Sequence, residues 1–458
     1  MDAITVRQAA QAAQGRIIAG SPDAAFTGVC TDSRKFRQGD LFVALHGEVV
    51  DAHKFIPQVA KEGGTFFLVS DPESVQGLTD VNAILVDDTL KGLQLLAGWY
   101  LDHIGVRRIA VTGSVGKTST RDMVYYILSE KYKTGKPIAN YNSDVGVPLT
   151  IFGFDSSMQM CVLEEGMEHA GEIHRLVEFT HPDAAIITNV GITHLENLGT
   201  RENIYKAKME ITDEFGPDNT LIINEDNDML DRSKIHGNYR VITVGSGSDA
   251  DYQVTDVEDH GENGVSFRLK TGGEERTIEL SVPGAHNAIN AGLAIAACQL
   301  FGVTLDQAVT GLSKLQLTGK RLKFRESHGI KVLDDSYNAA PASVESGIDT
   351  LVHTDGKRHV VILGDMNELG SEETALHEEV GRYAAEKGID LVIGCGSPHK
   401  AQAIARAAKE QGVESYAFET KEELYPHLPE LLKTGDVILI KASMTRHFWE
   451  ISDRIIER

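Results

Sequence analysis

The 458-residue sequence predicts an α/β protein of three domains. Three observations carry that reading. Short apolar runs alternate with segments of helical spacing along most of the chain. A glycine turn sits between a strand-like and a helix-like segment at residues 109–128. The pattern changes twice, to hairpin-like alternation at 251–282 and to the polar stretch Leu317-Thr318-Gly319-Lys320-Arg321. The boundaries that follow are 1–86, 87–316 and 317–458.

The first unit reads as a small α/β domain. Val6 to Ala13 has the spacing of a short helix, and Gly39 to Leu45 is a turn running into a strand. Asp51 to Phe55 and Ile56 to Glu62 read as loop then helix. Phe66-Phe67-Leu68-Val69 and Ala83-Ile84-Leu85-Val86 are apolar strands. Ser33 and Arg34 follow Asp32; such a pair contacts a phosphate or a base edge, or is simply solvated. A helix from about Thr89 to Ile104 leads into the middle of the chain.

There, Ile109-Ala110-Val111-Thr112 suits a buried strand. Gly113-Ser114-Val115-Gly116-Lys117-Thr118-Ser119 breaks into a tight loop, and Asp122, Met123, Tyr125, Tyr126 and Leu128 continue with helical spacing. Strand, glycine loop, Lys-Thr and helix form a phosphate cradle: loop amides approach phosphate oxygens and the helix N-terminus adds positive potential. Lys117 reaches the β/γ-phosphates and the Thr118 hydroxyl suits a magnesium ion. The longer form of this P-loop has a glycine where Val111 stands, so the loop is a shortened one.

Downstream, the loop from Asn140 to Leu149 is polar and broken by Gly146 and Pro148, as a ligand-facing loop would be. Cys161 to Glu164 and Ala184 to Ile187 are strands. Ligands in open α/β sheets sit at the carboxyl ends of strands, where Thr118, Glu164 and His194 all fall; with a phosphate loop they make a candidate Mg²⁺ site. A helix from about Arg201 to Phe215, with Thr200 at its N-cap, carries Lys206 and Glu210 at the spacing of a surface ion pair. Strands at 220–224 and 241–244 and the hairpin region lead to a long apolar helix opened by Pro283-Gly284-Ala285-His286-Asn287. Asn287 and Asn290 share a face in its first turn, placed either to bond a purine edge or to cap the helix.

Beyond the expected hinge at 317–321, strands at 331–334, 360–363, 391–394 and 437–440 alternate with helices near 342–352, 374–387, 398–411, 421–432 and 446–457. This is a Rossmann-like, doubly wound parallel sheet. It has no G-x-G-x-x-G, which argues against a dinucleotide cofactor.

Composition bounds the partners. Lys and Arg number 44 against 67 Asp and Glu, a net charge of −23, which argues against nucleic-acid and anionic membrane surfaces. An anionic substrate must then be held by loop amides, a few cations and metal ions. The four cysteines are far apart with no C-x-x-C, as in a reducing compartment. No leader pattern or membrane-length apolar run is present, so the expected setting is cytoplasmic, and the expected state a monomer.

T-G-S-V-G-K-T, E-E-G, N-V-G-I-T-H-L-E-N-L-G, K-A-K-M-E-I, P-G-A-H-N-A-I-N and D-S-Y-N-A, in this order and over essentially the full length, resemble the Mur ligases. Asp32-Ser33-Arg34, the Gly39–Leu45 segment, Asn142 to Pro148 and Gly364-Asp365-Met366 point to the branch that uses D-alanyl-D-alanine. The resemblance implies a UDP-binding first domain, a central ATPase and a third domain that closes over ATP. It implies ATP-dependent joining of UDP-N-acetylmuramoyl-tripeptide to D-Ala-D-Ala through an acyl phosphate, with ADP and phosphate released. Lys117 and the loop from Gly113 to Ser119 would hold the phosphates. Thr118 and Glu164 would hold one Mg²⁺, and His194 with a carbamylated Lys206 a second. Asn287 and Asn290 would meet adenine, with Arg321 and Asp335 joining from the hinge and third domain. Ser33, Arg34, Asn142 and Asn338 would meet the other substrates. Glu165 and Glu168 add negative charge beside the metals. Lys441-Ala442-Ser443-Met444 lacks the family's usual Gly and Arg. Competing readings are a sister amino-acid ligase, a ligase adding glutamate to folate, and a non-catalytic paralogue binding nucleotide sugar. A P-loop kinase or GTPase fits poorly, because no N-K-x-D string is present.

Overall fold

A computed structural model describes residues 1–47, 49–319 and 321–457. Lys320, part of the expected hinge, lies outside the described residues. The chain forms three α/β domains, each around its own main sheet.

The first sheet runs, edge to edge, Arg16–Ala19, Asn82–Leu85, Phe66–Val69, Asp40–Val43 and Gly28–Cys30. Its inner three strands are the apolar runs read from sequence. The two edge strands escaped that reading because they are short and partly exposed, so they carry little apolar signal. The helix Thr89–Ile104 starts on Asp88, which accepts from the amides of Leu90 (2.7 Å) and Lys91 (3.1 Å), and ends on Gly105 at φ 67°. Its Tyr100 hydroxyl donates to the carbonyl of Phe154 (2.9 Å) and accepts from the amide of Asp2 (2.8 Å), joining the first domain to the second.

The central sheet has Arg107–Thr112 between Met160–Glu164 and Ala184–Ile187, all parallel. Val111 lies opposite Glu164 and Thr112 opposite Ile187, so three carboxyl ends arrive at one level. Beyond Ala184–Ile187 come Thr220–Asn224 and Arg240–Gly245, then Tyr252–Asp259, Val265–Thr271 and Glu274–Leu280, which pair antiparallel with one another as their alternation predicts. The helix His286–Gln299 is apolar nearly all round and accordingly buried from Ala288 to Cys298 except Ile289. It packs against the phosphate-loop helix Lys117–Leu128.

The third sheet differs from the wholly parallel expectation. Its order is Lys323–Ser327, Ile330–Asp334, Asp436–Lys441, Arg358–Leu363, Leu391–Cys395 and Glu414–Phe418, with the first pair antiparallel. Lys323–Ser327 is a charged, half-exposed edge strand entering straight from the linker. Two expected helices are also shorter. The 421–432 segment splits into Lys421–Leu424 and Leu428–Leu431 around Pro426, whose ring and missing N–H interrupt the helical ladder. The helix at 201 ends at Met209 and tightens to a 3₁₀ turn, Glu210–Thr212. Its last residues are turned to another use: the Glu210 carboxylate accepts from the amides of Gly171 (2.7 Å) and His174 (3.1 Å), at the start of the helix Glu172–Thr180. Glu210 therefore caps a neighbouring helix rather than pairing with Lys206. Among the described residues no helix is long and apolar enough to cross a membrane.

One buried imidazole fixes the turn that follows Arg358–Leu363. His377 Nδ1 lies 2.6 Å from the carbonyl oxygen of Glu373, so it donates; Nε2 must then accept the amide of Met366 at 2.9 Å. Burial lowers the pKa of His377. The unfolded chain therefore takes up this proton first, so the contribution is whole above the ordinary histidine pKa near 6.5 and is lost as pH falls through the lower folded value. Denaturant midpoints measured from pH 7.5 down to pH 5 are expected to fall, and His377→Gln is expected to flatten that fall while costing about 1 kcal/mol at pH 7.5. An equally steep profile in His377→Gln would remove the assignment.

Candidate active site

Where Arg107–Thr112 ends, the chain turns back so sharply that Gly113 sits at φ 150°, and a Cβ there would lie 1.9 Å from Thr188 Oγ1. Gly116 is at φ 85° and opens the helix Lys117–Leu128. Asn189, just past Ala184–Ile187, shapes the loop between them. Its Oδ1 accepts from the Val115 amide (3.0 Å) and its Nδ2 donates to the Val115 carbonyl (3.0 Å). Its own carbonyl accepts from the Ser114 amide (3.0 Å), and the Thr188 hydroxyl donates to the Val115 carbonyl (2.6 Å). Lys117 folds over this loop, donating to the Gly113 carbonyl at 2.7 Å. Burial lowers its pKa, with the Glu164 carboxylate as the main opposing influence.

The loop forms one wall of a cavity of about 890 Å³ between the second and third domains. Of the residues expected at the site, Ser114 to Ser119, Asn142, Glu164, His194, Asn290, Arg321, Asp335 and Asn338 all line it. Gly113 lies just behind, as the carbonyl that Lys117 grips. Glu164 is 2% exposed; Oε1 accepts from Asn142 Nδ2 (3.0 Å) and Oε2 from the buried guanidinium of Arg121 (3.2 Å). From the third domain, Asp335 is ion-paired with Lys441, whose ammonium also donates to the Asn338 carbonyl (2.9 Å), and Arg321 lies over the Tyr337 ring at 4.1 Å. Glu368 reaches across the gap, its Oε2 2.6 Å from His194 Nδ1 and its carbonyl accepting from the Glu196 amide (3.1 Å). His194 holds the pKa of Glu368 below the usual carboxylate range, with a smaller contribution from Lys117.

Four expected residues stand elsewhere. Ser33 and Arg34 are outside this cavity, and the Arg34 guanidinium is folded onto Asp32, with Nε and Nη2 both at 2.9 Å. Asn287 is buried behind Asn290: it donates to the Pro283 carbonyl (2.7 Å) and its Oδ1 accepts from Asn290 Nδ2 (3.1 Å). Of the two readings left open for it, the structure favours holding the helix start, while Asn290 faces the phosphate loop. Lys206 is exposed, and neither it nor Lys208 is among the residues that line the cavity. The buried lysine of that helix is Lys208, 1% exposed, its pKa far below the ordinary lysine value because of burial and the nearby charge of Lys117. Helical spacing held the signal: Ile204, Ala207, Lys208 and Ile211 share the buried face, and Lys206 points the other way. Arg121, Asn189 and Glu368 were also missed, because a side chain's service to another side chain leaves no spacing of its own.

Comparison with known proteins then decides the family. Three family profiles cover most of the chain: "Mur ligase family, catalytic domain" over residues 25–97, "Mur ligase middle domain" over 111–298, and "Mur ligase, glutamate ligase domain" over 320–444. The chain belongs to the Mur ligase family. It is 38% identical to the UDP-N-acetylmuramoyl-tripeptide–D-alanyl-D-alanine ligase of Bacillus subtilis, covering 94% of this chain and 93% of that protein. It is 34% identical to the enzyme of the same name from Escherichia coli, with 94% and 93% covered. Among solved structures it is similar to MurF from Acinetobacter baumannii, at 30% identity, TM-score 0.91 and full coverage of both chains. It is also similar to MurF ligase from Thermotoga maritima in complex with ADP, at 26% identity and TM-score 0.83, covering 94% of this chain and 97% of that one.

For a Mur ligase, the extra carboxylate Glu165 does not charge the site as the sequence suggested. It is fully buried, points away from the cavity lining and accepts from the Thr180 hydroxyl (2.9 Å); burial pushes its pKa up to about 8, so it is mostly neutral at pH 7. Glu168 is exposed at the cavity rim. The missing Arg of the Lys441–Met444 string has a near neighbour in Arg446, which pairs with the buried carboxylate of Asp365.

The loop's shape makes Asn189 testable. Asn189→Ala orphans the Val115 amide and removes a donor from its carbonyl, at a cost of about 1–3 kcal/mol. Calorimetric titration with Mg-ADP is expected to show binding weakened about tenfold or more, with the fold retained; unchanged affinity would mean the loop holds its shape without that side chain.

Proposed function

We propose that this Mur ligase joins UDP-N-acetylmuramoyl-tripeptide to D-alanyl-D-alanine at the expense of ATP, completing a UDP-linked pentapeptide for peptidoglycan. The carrying observation is the 890 Å³ cavity, which brings the phosphate loop of the second domain against Asp335, Asn338, Glu368 and Lys441 of the third. Relatives covering nearly the whole chain bear the name of that activity, and the ADP held by the Thermotoga maritima enzyme supports a nucleotide at the loop. We take residues 1–86 as the domain for the UDP end, 87–316 for ATP and 317–458 for the amine. The four cysteines are buried and unpaired, in keeping with a cytoplasmic setting.

In this reading the loop amides and Lys117 bind the phosphates and neutralise charge on the transferring phosphoryl group. The tripeptide's terminal carboxylate oxygen attacks the γ-phosphorus and ADP leaves. The dipeptide amine then attacks the acyl carbon, its proton is lost, and phosphate departs with the C–O electron pair. The third domain covers the acyl phosphate against water, and Glu368 fixes the His194 ring from that side.

The donors present fit Mg²⁺. Among the described residues no three His, Cys, Asp or Glu side chains form a cage, but magnesium characteristically keeps water and phosphate oxygens and asks the protein for only one or two groups. Glu164 and the buried Thr118 hydroxyl would hold one ion and His194 would serve a second; the ions supply charge neutralisation of the phosphates. The lysine carbamate belongs at Lys208 instead of Lys206. Carbamylation joins a neutral amine to CO₂ with release of a proton, and burial beside Lys117 lowers the pKa of the Lys208 amine and so favours its neutral form, whereas Lys206 is exposed. The product is an anionic oxygen ligand in place of a buried amine.

Lys208→Ala is therefore expected to lose nearly all turnover and to regain part of it with small carboxylates, and Lys206→Ala to keep turnover within about twofold. The opposite ranking would return the role to Lys206. For the reaction itself, mass detection of UDP-pentapeptide from ATP, Mg²⁺, UDP-tripeptide and D-Ala-D-Ala is expected. Free D-Ala should be a poor amine, because a site built for a dipeptide leaves its distal polar groups unpaired when half the ligand is missing. Faster turnover with free D-Ala, D-Glu, a diamino acid, or folate plus glutamate would overturn the substrate assignment.

A further inference from the structure

A chain of buried charges runs from Glu164 to the linker between the second and third domains. Glu164 Oε2 accepts from Arg121 Nη1, and Arg121 Nη2 donates to Asp122 Oδ1 at 2.8 Å; both residues of this pair are fully buried. Asp122 Oδ2 accepts the backbone amide of Thr318 at 2.7 Å, and Oδ1 accepts its hydroxyl at 3.1 Å. Lys136 closes the cluster: its ammonium donates to Asp122 Oδ1 (2.8 Å) and sits over the Tyr125 ring at 4.6 Å. Removing an arginine and an aspartate from water is expensive unless each finds partners, and here the partners include the active-site carboxylate at one end and the linker at the other. Neither Arg121 nor Asp122 lines the cavity, so contact with substrate does not account for them.

We propose that Arg121 and Asp122 are positioning residues that fix the interdomain linker at Thr318 to the Glu164 carboxylate, so that nucleotide binding at the phosphate loop and the placement of the third domain are coupled. Arg121 divides its donors among Glu164, Asp122 and the Ala139 carbonyl (3.0 Å). Were Glu164 to hold a cation, Arg121 would keep Asp122 as its carboxylate partner, and Asp122 is the group that grips Thr318. Linkage makes the effect reciprocal: whatever loosens Thr318 from Asp122 weakens nucleotide binding by the factor by which nucleotide tightens the linker. The inference rests on the nucleotide reading of the loop given above.

The test pairs an affinity with a local exchange rate. In the unmodified protein, Mg-ADP is expected to slow hydrogen exchange in the peptide containing Thr318 by about tenfold. Asp122→Asn keeps an oxygen for Arg121 but turns an amide donor toward the Thr318 N–H. In the folded variant it is expected to weaken Mg-ADP binding by about tenfold and to abolish the nucleotide-dependent protection. Thr318→Val leaves the buried pair intact and removes the hydroxyl's bonds with Asp122 (3.1 Å) and Lys136 (3.4 Å); it is expected to weaken both readouts about twofold to fivefold, and it decides the matter should Asp122→Asn not fold. Wild-type affinity together with wild-type protection in a folded Asp122→Asn, or in Thr318→Val if Asp122→Asn does not fold, overturns this inference alone. Failure of the unmodified protein to bind Mg-ADP overturns the nucleotide reading and this inference with it.

Discussion

The register of three parallel strands is the constraint on which the site depends. Because Val111 faces Glu164 and Thr112 faces Ile187, the phosphate loop, the buried carboxylate and the Asn189 turn all leave the sheet at the same height. A slip of one residue would turn Glu164 to the other face of its strand and carry its carboxylate away from Asn142 and Arg121. The apolar faces on both sides of this sheet prevent such a slip, because every residue of Met160–Glu164 and Ala184–Ile187 is buried. The precision of the polar site is thus secured by hydrophobic packing behind it.

On that frame the protein solves a charge problem. A chain of net charge −23 must hold polyanionic substrates, and it does so by concentrating a few cations where water is scarce. Lys117 and Arg121 lie within or directly behind the phosphate-loop wall, and Arg321 and Lys441 approach from the third domain. Burial strengthens each attraction but also drives the lysines toward neutrality, as the lowered pKa values of Lys117 and Lys208 record. Arginine does not titrate in this way, which suits Arg121 to the fully buried position against Glu164 and Asp122. Glu165 yields in the opposite sense, becoming a neutral acceptor for Thr180.

Much of this was legible in the amino-acid sequence. The phosphate loop, its strand and helix, the apolar strands of all three domains and the hairpin region follow from periodicity and turn chemistry. What escaped has a common cause. Edge strands such as Arg16–Ala19 and Lys323–Ser327 are held by one neighbour's hydrogen bonds, so their side chains need no apolar pattern. Lys206 and Lys208 stand in one motif, and only the helix phase separates the exposed lysine from the buried one. Arg121, Asp122 and Asn189 act on other side chains and on backbone amides far away in the chain, relations that no linear pattern encodes.

The character of the boundary between the second and third domains explains why such relations matter. Beside apolar contacts such as Ile192 against the third domain's core, several polar ones cross it: Glu368 with His194 and Glu196, the His286 ring 2.6 Å from the Ser346 hydroxyl, Lys331 with Glu262, and Asp122 with Thr318. A boundary of this kind, bridged by single hydrogen bonds around a large cavity, permits relative motion that a continuous apolar interface would forbid. Chemistry that passes through an acyl phosphate needs both conditions in turn, an open gap for three substrates to enter and a closed one that excludes water. Polar contacts made on closing and exchanged for water on opening cost little in either direction, which keeps the two arrangements close in free energy. The same physics places the burden of order on the linker, the covalent path between the domains, and so on the buried aspartate that holds its first turn.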